Sequence, residues 1–235
     1  MSHMGGRSDR PSACGRGYRG GMARILIVGG HGKVALLLAR VLADRGDEVT
    51  AIIRDPDQSD DVRAAGAEPV VFDIEHQDRA AFARVIAGHD AVVWSAGAGG
   101  GSAQRTHAVD FEAAVRSMDA AGDAGVSRYV MVSYFNSSPQ HGIPADDPFH
   151  AYAEAKAAAD EYLRATTLDW TVLGPSRLTL GEGTGRIDAE AAASAEVSRA
   201  NVALVVAQAL REPATIHRTI RFNDGDTPVA EALAG

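Results

Sequence analysis

Tyr152 and Lys156 are the two residues of this sequence whose types and spacing most directly suggest chemistry. They stand four positions apart in an alanine-rich segment, 149–166, whose pattern predicts a helix, so they share one face of it. An ammonium group beside a phenol favours the phenolate and lowers the pKa of the tyrosine from its reference value near ~10. Such a tyrosine can exchange a proton with a carbonyl or a hydroxyl. The pair predicts a proton-transfer site, and the alternative is a surface pair on a helix.

A glycine-rich turn near the start of the chain suggests a second kind of chemistry. It consists of Gly29, Gly30, His31, Gly32, Lys33, Val34 and Ala35. Gly29 permits a tight turn, Gly32 lets a pyrophosphate approach the backbone, and Ala35 keeps the following helix close to the preceding strand. The helix N-terminus adds unpaired N–H donors and a partial positive charge. The turn therefore predicts a dinucleotide site rather than an ordinary glycine-rich turn. His31 could touch a phosphate, and the alternative is that it is simply tolerated in the turn.

The residue after the second predicted strand indicates which dinucleotide binds. NAD-binding proteins usually place an acidic residue there, where it contacts the ribose 2′-hydroxyl. Here Arg54 comes first and Asp55 follows. A guanidinium suits a 2′-phosphate because its planar fork binds phosphate through two hydrogen bonds. The sequence therefore favours NADP(H) over NAD(H). Asp55 is a competing signal, and a solvated loop charge is the alternative interpretation of Arg54.

The elements that must position these residues alternate regularly along the chain. Apolar runs predict strands at 24–28, 49–53, 70–72, 91–94 and 129–132. Helical spacing predicts helices between them, at 32–45, 62–65, 79–87 and 107–121. After 133 we expect a proline-rich loop, the helix at 149–166, a strand at 170–173, a helix at 199–211 and a strand at 215–222. Strand–helix alternation with short connections is typical of a parallel sheet covered on both faces. The predicted fold is α/β, a single Rossmann-type doubly wound parallel sheet.

Composition narrows the classes of partner. The 235 residues are 46% hydrophobic and carry a formal net charge of −8, which argues against a nucleic-acid backbone as partner. No apolar run approaches the ~20 residues of a membrane span. The single cysteine, Cys14, permits no internal disulfide, which fits a protein of the reducing cytoplasm. The histidines show no spacing typical of metal ligands, so we expect no metal site. Residues 1–21 resemble a flexible, tag-like tail, and 22–235 form the predicted domain.

Several segments together resemble the short-chain dehydrogenase/reductase superfamily. Besides the glycine turn and Arg54, they are Asp73-Ile74 after the third strand, Ser95-Ala96-Gly97 after the fourth, and the Tyr-x-x-x-Lys of 152–156. The stretch 168–179, LDWTVLGPSRLT, and three later segments at 185–187, 198–202 and 225–229 are similar to the atypical branch. That branch comprises NAD(P)-binding, sugar-epimerase-like proteins. The resemblance covers about residues 24–235.

The resemblance implies NADP binding and one Rossmann domain with a small C-terminal substrate lobe. It implies that Lys156 binds the nicotinamide ribose, that Ser133 orients the substrate oxygen and that Asp110 takes the place of a fourth-helix asparagine. Two positions depart from the family pattern. Where the family has a Ser-Ser pair, this chain has Ser133-Tyr134. Where the family has an Arg-Pro-Gly motif, this chain has Gly-Pro-Ser at 174–176. Pro175 keeps its place at the cofactor, and Arg177 is the residue that could replace the missing arginine.

Two functions are compatible with these observations. The first is an NADP-dependent oxidoreductase that acts on a small carbonyl or hydroxyl compound, with Tyr152, Lys156, Ser133 and Asp110 in one cleft and residues 175–178 on the opposite wall. The intact Tyr152/Lys156 pair favours it. The second is a non-catalytic NADP-binding redox sensor or regulatory protein, favoured by the altered serine and arginine motifs. We expect a small-molecule substrate and a monomer or homodimer in either case.

Overall fold

The computed structural model describes residues 21–98 and 102–234, so the predicted tail lies outside the described residues except for its last position. The N-terminal half alternates strand and helix as predicted. Its elements are β1 (Arg24–Val28), α1 (Lys33–Asp44), β2 (Glu48–Ile53), α2 (Ser59–Ala64), β3 (Glu68–Val71), α3 (Arg79–Ile86) and β4 (Ala91–Trp94). They are followed by α4 (Ala103–Thr106), a π-helical turn (His107–Ala113), α5 (Ala114–Asp123), β5 (Arg128–Val132), α6 (His150–Ala165) and β6 (Asp169–Pro175).

The C-terminal part contains shorter strands. They are β7 (Arg177–Thr179), β8 (Arg186–Asp188), β9 (Glu196–Ser198), β10 (Arg218–Asp224) and β11 (Thr227–Pro228), with helices α7 (Arg199–Ala209) and α8 (Val229–Leu233). No helix among the described residues is long and apolar enough to cross a membrane.

Seven parallel strands form the centre of one sheet, in the order β3-β2-β1-β4-β5-β6-β10. This order confirms the predicted Rossmann-type fold, because the strand sequence reverses direction between β1 and β4. The antiparallel strands β8 and β11 extend the sheet beyond β10, and β7 pairs with β9 in a separate two-stranded sheet. Parallel strands need helices on both faces, which is why the core divides into two apolar clusters.

One apolar stripe attaches α1 to the sheet. It consists of Val34, Ala35, Leu38, Ala39 and Leu42. These side chains lie in the same cluster as residues of α7, so α1 and α7 cover one face together. Helices α3, α5 and α6 cover the other. At the sheet edge, β3 tolerates Pro69 because an edge strand has a free side that needs no hydrogen bond.

Several predicted boundaries differ from the structure, four of them by more than the end of an element. The helix expected at 107–121 starts with the π-helical turn, which carries Asp110. The third strand lies at Glu68–Val71 rather than 70–72. The last strand starts at Arg218 rather than 215, because Pro213–Thr215 form a 3₁₀ turn in which the Thr215 N–H donates to Glu212. The stretch after β6, which shows no sequence period, holds the short strands β7 and β8.

The glycine turn is held tightly between neighbouring strands. Gly29 has a φ of +86°, and a Cβ there would lie 2.6 Å from the Ala96 Cα. Gly30 donates its N–H to the Ile52 carbonyl at 2.7 Å, and a Cβ on it would lie 2.5 Å from the Ala51 Cβ. Gly30 therefore has a packing role that the motif alone does not reveal. The turn can approach β2 only because this position lacks a side chain.

This contact generates a stability prediction. Gly30→Ala should lower the free energy of unfolding by ~1–3 kcal/mol, because the turn must move away from β2 to admit the methyl group. Urea denaturation measures the change. Gly122→Ala is the matched control: Gly122 lies in α5, where a methyl group would meet no atom within 4 Å beyond its own helix backbone, so alanine there should stabilise by up to ~1 kcal/mol. Equal effects of the two substitutions would contradict the close-approach argument.

Candidate functional site

Two adjoining cavities lie at the carboxyl ends of the parallel strands, where the strand order reverses. Their volumes are about 310 Å³ and about 660 Å³. Gly32 and the segment 95–97 line both cavities, so the two form one continuous crevice centred on the glycine turn. In open α/β sheets this crevice is where ligands bind. An elongated ligand with a pyrophosphate at its middle fits this arrangement.

The smaller cavity holds the first group of predicted cofactor residues. Its lining includes Gly29, Gly30, His31, Gly32, Arg54, Asp73, Ile74, Ser95, Ala96 and Gly97. The exposed Arg54 has no hydrogen bond or ion pair with any described residue, so its guanidinium is available to an anion. Asp55 does not line the cavity, because its carboxylate accepts the Asp57 N–H and caps a 3₁₀ turn. His31 lines the cavity while its Nε2 lies 2.8 Å from an Asp61 carboxylate oxygen.

The N-terminus of α1 faces the larger cavity without a side-chain cap. Helices α3, α4 and α7 begin with Asp78, Ser102 and Ser198, whose side chains accept a backbone N–H of the first turn. Helix α1 begins with Gly32, which has no side chain to do this, and Lys33 and Val34 line the cavity beyond it. Unsatisfied N–H donors at a helix N-terminus bind anions. The site therefore fits the pyrophosphate of a dinucleotide.

The larger cavity has an aromatic wall and a wall from the end of β6. Tyr134, Phe149 and Tyr152 pack against one another with ring centroids 5.0–5.8 Å apart. Pro175 and the residues 176–178 also line this cavity. Ser133 lines the same cavity. Tyr152, Ser133 and the start of α1 therefore border one cavity.

The Tyr152–Lys156 pair differs from the expected arrangement. Lys156 is 1% exposed, its Nζ donates to the Val132 carbonyl at 2.9 Å, and the residue lines neither cavity of the crevice. Burial raises the pKa of Tyr152, and the negative charges of Asp110 and Asp160 raise it further. The expected lowering of the tyrosine pKa is therefore wrong. At neutral pH the phenol keeps its proton.

Lys156 belongs to a buried charge cluster with two carboxylates. Asp110 and Asp160 are both fully buried, and burial raises the pKa of each, although the Lys156 charge opposes both shifts. Asp110 accepts the Ala98 N–H at 2.9 Å and does not line either cavity of the crevice. Sequence reasoning missed Asp160, although its position four residues after Lys156 places it on the same helix face. Of the predicted catalytic residues, Tyr152 and Ser133 reach the cavity and the other two lie behind it.

The missing arginine of the GPS segment has a local explanation. A Cβ on Gly174 would lie 3.1 Å from the Tyr134 carbonyl and 3.2 Å from the Arg221 Cγ. Arg221 is the register partner of Gly174 on β10, and its guanidinium lies 5.5 Å from the Phe135 ring centroid. Arg177 lines the larger cavity but pairs with Glu196. The side-chain stem of Arg221 therefore packs beside the place where the family arginine starts.

Three residues with metal-binding side chains meet beside the aromatic wall, although sequence spacing shows no such group. The ligand atoms of His141, His150 and Glu154 lie within 4.8 Å of one another. The Ile143 N–H donates to His141 Nδ1, so the Nε2 of His141 carries the proton and donates to Glu154 at 2.8 Å. A metal ion at that Nε2 would require a deprotonated imidazolate. The group is a hydrogen-bonded cluster that attaches the loop before α6 to the helix.

Comparison with known proteins agrees with this geometry. The model of the NAD(P)H-binding family matches residues 29–213. The chain is 32% identical to the "Uncharacterized sugar epimerase YhfK" of Bacillus subtilis, covering 89% of this chain and 98% of that one. Among solved structures, a Bacillus halodurans protein named for the NAD-dependent epimerases/dehydratases is 32% identical with a TM-score of 0.81, covering 90% and 98%. The oxidoreductase ylbE of Lactococcus lactis is 31% identical with a TM-score of 0.79, covering 89% and 94%.

The raised pKa of Asp110 predicts a pH-dependent stability. The folded protein holds this proton more tightly than the unfolded chain, so the contribution is present below the unfolded pKa and is lost as pH rises through the folded pKa. The free energy of unfolding of Asp110→Asn minus that of the wild type should therefore increase between about pH 4 and pH 8. Urea denaturation at both pH values measures the difference.

Asp123→Asn is the control of opposite sign for this measurement. The hydrogen bond from Arg79 lowers the pKa of the exposed Asp123 carboxyl, so its contribution is present at high pH and lost as pH falls. The difference between Asp123→Asn and wild type should therefore change in the opposite direction, mainly below about pH 4, and stay nearly constant between pH 4 and pH 8. A difference for Asp110→Asn that is constant with pH would contradict the raised pKa.

Proposed function

This chain belongs to the NAD(P)H-binding family, and from that premise we propose that it is an NADP-dependent oxidoreductase acting on a small carbonyl or hydroxyl substrate. One observation carries the proposal. Tyr152 and Ser133 line the same cavity as the uncapped N-terminus of α1. A proton donor and an anion site thus share one crevice, which is the arrangement that a dinucleotide-dependent reduction needs.

The residues divide the cofactor between the two cavities. The N–H groups at the start of α1 would hold the pyrophosphate, and Arg54 would bind the 2′-phosphate in the smaller cavity. When bound, NADPH supplies a hydride to the carbonyl carbon. The aromatic wall of Tyr134, Phe149 and Tyr152 would offer apolar surface to a substrate in the larger cavity. The lining predicts a small, partly apolar substrate.

Tyr152 would act as the general acid of the reduction. Its raised pKa keeps the phenolic hydrogen in place at neutral pH, so the group is in the form that can donate. As the carbonyl carbon gains a hydride, the oxygen takes the proton from Tyr152, and the C=O double bond becomes a C–O single bond. The reverse reaction returns the proton to the phenolate. Asp110 and Lys156 act from behind the cavity by fixing the local electrostatic potential.

A second candidate is a non-catalytic NADP-binding redox sensor. The observation that favours it is that the Ser133 hydroxyl donates its hydrogen to an Asp160 oxygen at 2.6 Å, so it is not available to donate to a substrate oxygen. In either case we propose a cytoplasmic protein that is a monomer or a homodimer. Consumption of NADPH across a panel of small carbonyl compounds distinguishes the two functions, because only the oxidoreductase turns the cofactor over.

Cofactor preference supplies the first functional prediction. The protein should bind NADPH more tightly than NADH, and Arg54→Ala should remove that preference, because a charge-assisted contact to the 2′-phosphate is worth ~1.5–3 kcal/mol, or roughly ten- to a hundred-fold in Kd. Calorimetry gives both dissociation constants. Arg63→Ala is the control, because Arg63 is an exposed arginine on α2 that does not line the cavity. Equal affinities of the wild type for NADPH and NADH would contradict the predicted preference.

The second prediction tests the proton donor. Tyr152→Phe should lower kcat/KM by roughly 10²–10⁴-fold while NADPH affinity stays nearly unchanged, because only the hydroxyl group is removed. Tyr162→Phe is the matched control on the same helix, since its hydroxyl donates to Asp119 and lies outside the crevice. Full activity in the Tyr152→Phe variant would assign the reaction to another group.

A further inference from the structure

Asp160 is a buried carboxylate that the proposed reaction does not use. It lies on α6 with no exposed surface, and its Oδ2 accepts hydrogen bonds from the hydroxyls of Ser133 and Ser137, each at 2.6 Å. Its Oδ1 has no hydrogen-bond partner among the described residues. Two short hydrogen bonds to one carboxylate oxygen fix the orientation of both hydroxyl groups. Of the two serines, only Ser133 lines the larger cavity.

The chemistry of a hydroxyl group gives this contact a consequence for the cavity. A serine has one hydrogen to donate and two lone pairs that accept. Because the Ser133 hydrogen is donated to Asp160, any further hydrogen bond that this hydroxyl group makes must be one that it accepts. A ligand group that meets Ser133 must therefore be a donor, such as the hydroxyl of an alcohol or the N–H of an amide. A ketone oxygen in the same place would face a lone pair.

The backbone of the same segment is held from the same helix. The Nζ of Lys156, one turn before Asp160, donates to the carbonyl of Val132, which precedes Ser133. The Ser133 N–H donates to the Leu173 carbonyl on β6 at 2.8 Å. The side chain and both flanking backbone groups of Ser133 are thus fixed, and Asp160 alone determines where the hydroxyl hydrogen points.

We propose that Asp160 is a positioning residue, which leaves Ser133 able only to accept a further hydrogen bond, so that the site binds the alcohol form of its substrate more tightly than the carbonyl form. This rests on the proposed oxidoreductase function. The competing explanation is that Asp160 only stabilises the loop after β5, through Ser133 and Ser137 alike. The two serines separate these explanations, because they make hydrogen bonds of equal length to the same oxygen and only one of them reaches the cavity.

The experiment compares variants of the full chain with a matched probe pair, indanol with NADP⁺ and indanone with NADPH. Asp160→Ala and Ser133→Ala should each raise KM for indanol relative to KM for indanone by at least ~tenfold. KM for the cofactor should stay within about twofold. Ser137→Ala should leave the ratio of the two substrate KM values unchanged and lower the melting temperature about as much as Ser133→Ala. The double variant Asp160→Ala/Ser133→Ala should show no larger ratio change than either single variant, because both remove one interaction.

Several results would overturn the proposal. One is a ratio change in Ser137→Ala as large as in Ser133→Ala, and another is a double variant in which the two changes multiply. If Asp160→Ala does not fold, Asp160→Leu removes the acceptor while filling the space, and the serine variants remain decisive. If the wild type turns over neither probe, the proposed function fails for this substrate class. Crystal structures of the variant then decide: Ser133 should occupy more than one rotamer, and a single unchanged rotamer rejects the role of Asp160.

Discussion

The contact between the glycine turn and its two neighbouring strands is the constraint on which the site depends. Gly29 packs closely against Ala96 in the segment after β4, and Gly30 packs closely against Ala51 of β2. This packing brings the bare N-terminus of α1 to the point where the strand order reverses. A side chain at either glycine would move the helix end away from the crevice. The position of the uncapped N-terminus of α1 is therefore a product of close backbone packing.

A group of buried charged residues lies close to the residues that line the larger cavity. There, the buried ammonium of Lys156 interacts electrostatically with two buried carboxylates, Asp110 and Asp160. Each carboxylate accepts hydrogen bonds from a different segment of the chain. Asp110 holds the backbone of Ala98, and Asp160 holds the two serines after β5. Removing one partner of such a group leaves an uncompensated buried charge, so each member should be costly to replace. Asp110 and Asp160 line neither cavity of the crevice, yet their charges raise the pKa of Tyr152, which lines the larger one.

Much of the fold and of the candidate site can be predicted from the sequence. The parts that cannot be predicted have a physical reason in common. Long, periodic elements such as β1, α1 and α6 are predictable because burial on one face dictates their pattern. The wall formed by Pro175 and its neighbours follows from topology alone. Strands of two or three residues, such as β7, β8 and β11, are too short to show a period. The direction of the Lys156 side chain depends on its hydrogen bond to the Val132 carbonyl on β5, which meets α6 only in the folded chain.

The packing of α7 has a mechanical consequence for the crevice. Arg199, the first residue of α7, donates to the carbonyls of Leu178 and Thr179 on β7, directly beside the larger cavity. Helix α7 also shares its apolar cluster with α1, whose end faces the same cavity. Helix α7 thus contacts both α1 and the wall of the cavity that contains Leu178. A displacement of α7 would therefore move the N-terminus of α1 and that wall together, whereas the aromatic wall comes from the segments after β5 and at the start of α6.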